Sequence, residues 1–171
     1  MRNLLLEAVE YKTKDTSFGT WKSHLSPEGH AYHEFTSHRQ IAGMPFLHYT
    51  AGKNPETGRR KVARGFVAVG RLAVGVVAIG QAACGVVSIG QLSFGVLAGV
   101  GQLCVGLVAI GQISLGVLFG AGQLATGIVA IGQAAFGYYV LAQSGAGVHV
   151  WDAEGGDNAA RGFFSALRSW K

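Results

Sequence analysis

Gly85-Val86-Val87-Ser88-Ile89-Gly90-Gln91-Leu92-Ser93-Phe94 is one unit of a pattern that fills the middle of the chain, from about Arg64 to Gln143. Units open at Gly65, Gly75, Gly85, Gly95, Gly106, Gly116, Gly127 and Gly137. A second glycine divides the first seven, at Gly70, Gly80, Gly90, Gly101, Gly111, Gly122 and Gly132, and Ala142 takes that place in the last. The beat is therefore five residues. Arg71 follows the second glycine of the first unit, and a glutamine holds the equivalent place in every later one: Gln81, Gln91, Gln102, Gln112, Gln123, Gln133 and Gln143.

A helix does not fit this spacing, because ten residues at about 100° each would scatter the glutamines around the axis. Glycines at this density would each cost about 1 kcal/mol in a water-exposed helix, and the intervening Val and Ile favour strands. Short strands between glycine corners satisfy both preferences, and stacking equivalent corners pairs every strand with the coil above and below. The reading is all-β: a β-solenoid with a small β-rich N-terminal cap and a C-terminal amphipathic helix. Extra residues in Val96-Leu97-Ala98-Gly99-Val100 and Val117-Leu118-Phe119-Gly120-Ala121 lie two units apart. They suggest a coil of about 20 residues, with the insertions as bulges where glycine tolerates unusual backbone angles.

Two registers compete for the inside. One buries Val77, Ile79, Leu92 and Phe94 and leaves Ala78, Ser88, Ser93 and the glutamines outside, which removes the most apolar area from water. The other buries the glycine and the residue two after it, as in Gly90-Gln91-Leu92, and turns Ile79, Ile89 and Phe94 outward. The first is preferred.

Composition agrees with an unusual exterior. Apolar residues are 49% of the 171 residues and charged ones 13%, well below the roughly 25% usual in soluble domains. No Asp, Glu, Lys or Arg lies between Arg71 and Asp152, so the net charge of +5 belongs to the two ends. Cys84 and Cys104 sit inside the apolar block without metal spacing and read as small buried hydrophobes. The start MRNLLLEAVEYK meets Glu7 too early for a secretory signal, so a cytoplasmic location is expected, with the inner face of the membrane as the alternative.

The flanks divide into residues 1–60, a β-rich cap, and residues 144–171, a tail, around a repeat of 61–143. Strand-like stretches run Val9 to Thr13, Ala31 to Thr36 and Phe46 to Thr50, with turns at Ser26-Pro27-Glu28-Gly29 and Asn54-Pro55-Glu56-Thr57-Gly58. A helix over 158–170, capped by Asp157 and Asn158, carries Phe163, Phe164, Leu167 and Trp170 on one stripe with Arg161 and Arg168 roughly opposite. That stripe either lies on the last coil as a cap or meets a membrane surface. The basic run Arg59, Arg60, Lys61 and Arg64 is either a solvated face or a contact for anionic headgroups. It has no stacking aromatics, which argues against nucleic acid.

The pentad Gly-Gln-Leu-x-x resembles the repeat of pentapeptide-repeat proteins, with glutamine where Asp or Asn is usual. The chain is also similar to a set of uncharacterised bacterial proteins in which a G-L-P-L-x-H-like segment precedes A-R-G-x-I-A-I-G and many G-x-x-A-I-G units. The matching residues are Gly43-Met44-Pro45-Phe46-Leu47-His48 and Ala63-Arg64-Gly65-Phe66-Val67-Ala68-Val69-Gly70. The resemblance implies a bacterial origin and a solenoid, and carries no activity. Pentapeptide proteins that imitate DNA use acidic surfaces, which this array lacks.

No nucleophile, base and oxyanion donor can be assembled from Gln, Ser, Thr, Tyr and Cys alone, so no catalytic residue is assigned and the chain is not expected to be an enzyme. His24, His30, His33, His38 and His48 match no zinc spacing, and no metal or cofactor is expected. The glycine stretches are not phosphate loops, since no Gly-Lys-Ser/Thr follows, and no small-molecule substrate is expected. The leading expectation is a structural protein that binds itself or another protein through uncharged walls lined by the glutamine ladder. The alternative is a membrane protein, either an apolar solenoid or glycine-zipper helices anchored by basic flanks. A third possibility is a ligand-binding head, residues 1–60, on a rigid spacer.

Overall fold

The structure is a computed structural model that describes residues 9–26 and 29–169. Trp170 and the Pro27-Glu28 pair of the expected turn lie outside those residues. The described chain is mostly β-structure with one helix, in the order β1 (Lys12–Asp15), β2 (Gly19–Leu25), β3 (Ala31–Ser37), β4 (Gln40–Ile41), β5 (Met44–Pro45), β6 (Leu47–Ala51), β7 (Ala63–Asp152), β8 (Gly155–Gly156) and α1 (Asn158–Ser169). It divides into two compact units, Met1–Gln81 and Ala82–Lys171. The division falls inside β7.

In the first unit β1, β2, β3 and β6 form an antiparallel sheet, and β6 then pairs in parallel with the start of β7, Leu47 opposite Val67 and Thr50 opposite Gly70. This pairing gives the first residues of the repeat a β-partner and so draws them into the unit. Alternation along β3 sorts its side chains: Tyr32 and Glu34 are buried, while Phe35 packs with Trp21 at 5.0 Å between ring centres. β2 was not expected from the sequence. The Asn54–Gly58 turn is present, with the Gly58 amide donating to the Asn54 carbonyl at 2.8 Å and Gly58 in the left-handed region at φ 64°.

Along β7 the backbone comes back against itself at an offset of ten residues. In the first unit a Cβ added at Gly75 would collide with the Gly65 carbonyl oxygen, and one at Gly80 with that of Gly70. In the second unit the same collisions pair Gly111 with Gly101, Gly132 with Gly122, Gly137 with Gly127 and Gly147 with Gly137. The offset is eleven where an inserted residue intervenes, as for Gly101 with Gly90 and Gly122 with Gly111. This is half the period that the insertions suggested. None of the repeat glycines has a positive φ, so the corner reading is corrected: glycine is needed here for close approach of backbones, not for unusual angles.

The preferred register is overturned. Ala78, Ser88 and Ser93 are fully buried, as are Ala83, Cys104, Ala109, Ser114, Ala125, Ala130 and Ala135, whereas Ile79, Leu92 and Phe94 are exposed. Along most of the array one small side chain per pentad is buried while large ones are exposed, and Val140 takes the buried place near the end. Close approach of the backbones at the ten-residue offset leaves little room on the inner side, and the row is filled by methyl, hydroxyl and thiol groups, with Val140 the one larger side chain in it. The second register fails as well, since Leu92 is outside, yet the apolar exterior it implied is present. Polar members of the inner row are satisfied within it, Ser88 and Ser93 hydroxyls lying 2.5 Å apart and Ser93 donating to the Ser88 carbonyl at 3.0 Å.

Cys104 belongs to the inner row, but Cys84, the residue after buried Ala83, is exposed, which corrects the reading of both thiols as buried. One thiol per chain is therefore expected to react with a disulfide reagent in the native protein and two after denaturation. Two fast-reacting thiols in the native state would contradict the inner row.

Candidate functional site

The exterior of β7 is the most unusual surface in the protein. Ile89 is 44% exposed, Phe94 46% and Val96 68%, and Ile110, Leu115, Leu118, Ile128 and Phe136 are exposed as well. Every residue of the glutamine series from Gln81 to Gln143 is also exposed, and Arg71 Nε donates to Gln81 Oε1 at 2.6 Å across one ten-residue step. An exposed apolar surface on a monomer is usually limited to a few hundred Å².

Basic residues expected to meet headgroups are arranged differently from one another. Arg59 and Arg64 are exposed and Arg60 half-buried. Lys61 reaches inward, its Nζ 2.6 Å from Glu34 Oε1. Glu34 also accepts from the Tyr32 hydroxyl at 2.7 Å and from His48 Nε2 at 3.0 Å. The Arg64 amide donates to His48 Nδ1 at 2.8 Å, which leaves the ring proton on Nε2. This cluster was not legible in the sequence, because its members come from β3, β6 and the entry to β7. Alternation of Tyr32 and Glu34 on one strand face was the only available signal.

Hydrogen bonds from His48 first, then from Lys61 and Tyr32, overcome the burial penalty and hold the Glu34 carboxyl at about 2, against an ordinary 4.5. A carboxyl depressed on folding stabilises the folded state above its unfolded pKa and loses that contribution as pH falls toward the folded value. Stability of the wild type relative to Glu34→Gln should thus be largest above pH 4.5 and shrink steadily toward pH about 2. Thermal melts of both proteins across that range check it, and a constant difference would contradict the assignment. At neutral pH the variant should lose about 1–3 kcal/mol, since its neighbours keep their burial but lose a charged acceptor.

At the other end of the chain Asp157 caps α1, accepting the Ala160 amide at 2.6 Å, and this bond with the nearby His149 lowers its pKa. Phe163 stacks on Tyr139 at 4.3 Å between ring centres, while Phe164 and Ala160 are buried. Leu167 is exposed. The stripe therefore packs on the protein's own surface through its first two aromatics, and β8 pairs antiparallel with Trp151 and Asp152.

An apolar hollow of about 440 Å³ lies in the first unit between Phe18, Trp21, Phe35, Leu47 and Tyr49. Among the described residues no three His, Cys, Asp or Glu side chains are placed to share a metal ion, and no helix is long and apolar enough to cross a membrane. Comparison with known proteins gave no match: no family model, curated protein or solved structure is similar to this chain.

Proposed function

We propose that β7 is a narrow β-solenoid with ten residues to the coil, and that the protein is a non-enzymatic structural element whose apolar walls associate with other apolar surface. The observation that carries this is the inversion of the usual pattern: a buried row of Ala, Ser and Cys, ending in Val140, beneath exposed Val, Ile, Leu and Phe. Such a shell leaves water on contact with a partner, at about 25 cal/mol for each Å² covered. Hydrophobic contact then dominates, with the exposed glutamines adding hydrogen bonds along one file.

The polar cluster of the first unit favours this reading over catalysis. Both Glu34 oxygens accept hydrogen bonds and both His48 nitrogens are engaged, so neither is free to take a proton from a substrate. The uncharged walls also give nucleic acid no cations to meet. Kinship with the bacterial glycine-rich repeat proteins rests on the quoted motifs, and a place at the membrane rather than free in the cytoplasm is part of the same proposal.

Sedimentation of the purified full chain tests the association. In plain buffer it is expected to run as large or heterogeneous particles, and in mild detergent as a small defined species. A monodisperse monomer in plain buffer at tens of micromolar would overturn the proposal.

A further inference from the structure

We propose that the β7 segment of the second unit, Ala82–Trp151, spans a lipid bilayer with its layers stacked along the membrane normal. The proposal rests on the ten-residue coil above and names the apolar partner. Three observations favour lipid over a protein surface or a second copy.

The first is that the apolar residues occupy both walls. Ile89 and Ile110 close the pentads that open the units, whereas Phe94, Leu115 and Phe136 close the alternate pentads, and all five are exposed. A single docked partner would cover one wall and leave the other in water. A bilayer covers both.

The second is length. The seventy residues from Ala82 to Trp151 contain no Asp, Glu, Lys or Arg. Taken ten to a layer and about 4.8 Å apart they reach about 33 Å, against about 30 Å for the hydrocarbon core of a bilayer. Tyr138, Tyr139 and Trp151 gather toward one end of this stretch, the residue types that settle at the headgroup level. Arg161 and Arg168 follow on α1 and are exposed.

The third is backbone satisfaction. A structure can face lipid only if its peptide groups are paired internally, and a stacked coil pairs each layer with the next, leaving open groups only at its ends. The glutamines would be costly alone in hydrocarbon. Gln91, Gln102, Gln112, Gln123 and Gln133 recur once per layer, a spacing at which each amide can donate to the next as in stacked glutamine ladders.

The full chain carrying Cys84→Ser and a nitroxide at Ile89→Cys, Ile110→Cys or Leu141→Cys, placed in phosphatidylcholine–phosphatidylglycerol vesicles, tests this. Accessibility to oxygen relative to a water-soluble nickel chelate should peak at position 110 and fall on both sides, position 110 lying about 10 Å deeper than 89. Equal shallow depth at all three, or access of the chelate to all three, overturns the proposal. A double label at Val100→Cys and Ile110→Cys reads the coil separately, since labels one layer apart broaden each other's spectra in detergent and vesicles alike. Broadening with a flat depth profile sinks the bilayer crossing alone, and no broadening sinks the coil. Should the variants fail to fold, infrared dichroism of the unmodified chain in oriented bilayers decides: β-type amide I absorption polarised along the normal is expected, and polarisation in the membrane plane overturns it.

Discussion

Replacing Gly111 by valine is expected to lower the stability of the protein by about 3 kcal/mol or more, or to prevent folding of the repeat altogether. A Cβ at Gly111 would run into the carbonyl oxygen of Gly101 and come within 3.1 Å of the Cys104 thiol. Backbone cannot swing aside as a flexible side chain can, so the two layers must part, and parting them breaks the hydrogen bonds and the inner row together. In a stacked array each layer is held mainly by its neighbours. A wedge in the middle therefore weakens both flanking segments. The neighbouring change Gln112→Ala removes a larger but exposed side chain and should stay within about 0.5 kcal/mol of wild type. Thermal melts followed by circular dichroism at the β-sheet band compare the two. A loss of about 3 kcal/mol corresponds to a Tm drop of about 6–12 °C for a chain of this size. Equal melting of both variants would mean that Gly101 and Gly111 are not stacked.

The five-residue beat and the absence of charge could be read from the chain because each is a property of sequence alone, and the β class followed from the Val and Ile between the glycines. The return distance could not, since the insertions suggested about 20 residues where the backbones meet at ten. Nor could the inward row. Area bookkeeping favours burying Ile89 and Phe94 over Ser88 and Ser93, and it assumes that the fold has room for them. Where backbones approach at a ten-residue offset there is little room between them, so a steric limit overrides the transfer preference that ordinarily decides what is inside. The clue was present in Ala68, Ala73, Ala78, Ala83, Ser88 and Ser93, a strict five-residue series of small residues that a weakly polar exterior explained equally well. The Glu34, His48 and Lys61 cluster stayed hidden for a different reason. Its partners are 14 and 27 residues from Glu34, and their meeting depends on β3 pairing with β6, a register that strand propensity does not specify.

Phe164→Asp is expected to free α1 from the end of the second unit and to turn a capped array into one that grows. Phe164 is 5% exposed and its neighbour Phe163 stacks on Tyr139. Removing a buried phenylalanine costs about 3–5 kcal/mol, more than a twelve-residue helix of this composition can recover by itself, since isolated helices shorter than about 12–15 residues are marginal in water. Unpaired strand groups recruit other chains, and here only the short β8 pairing with Trp151 and Asp152 would remain over the end. In detergent, where the walls are already covered, the variant should form longer particles with time, seen as rising scattering and elongated shapes by electron microscopy, while hydrogen exchange speeds up first in α1 and then in residues 137–152. Leu167→Asp alters the same helix at an exposed position and should leave particle size unchanged. If both variants stay short, the end of the array is closed by β8 alone and α1 contributes nothing to it; if both grow, added charge on the helix rather than loss of the buried ring is responsible.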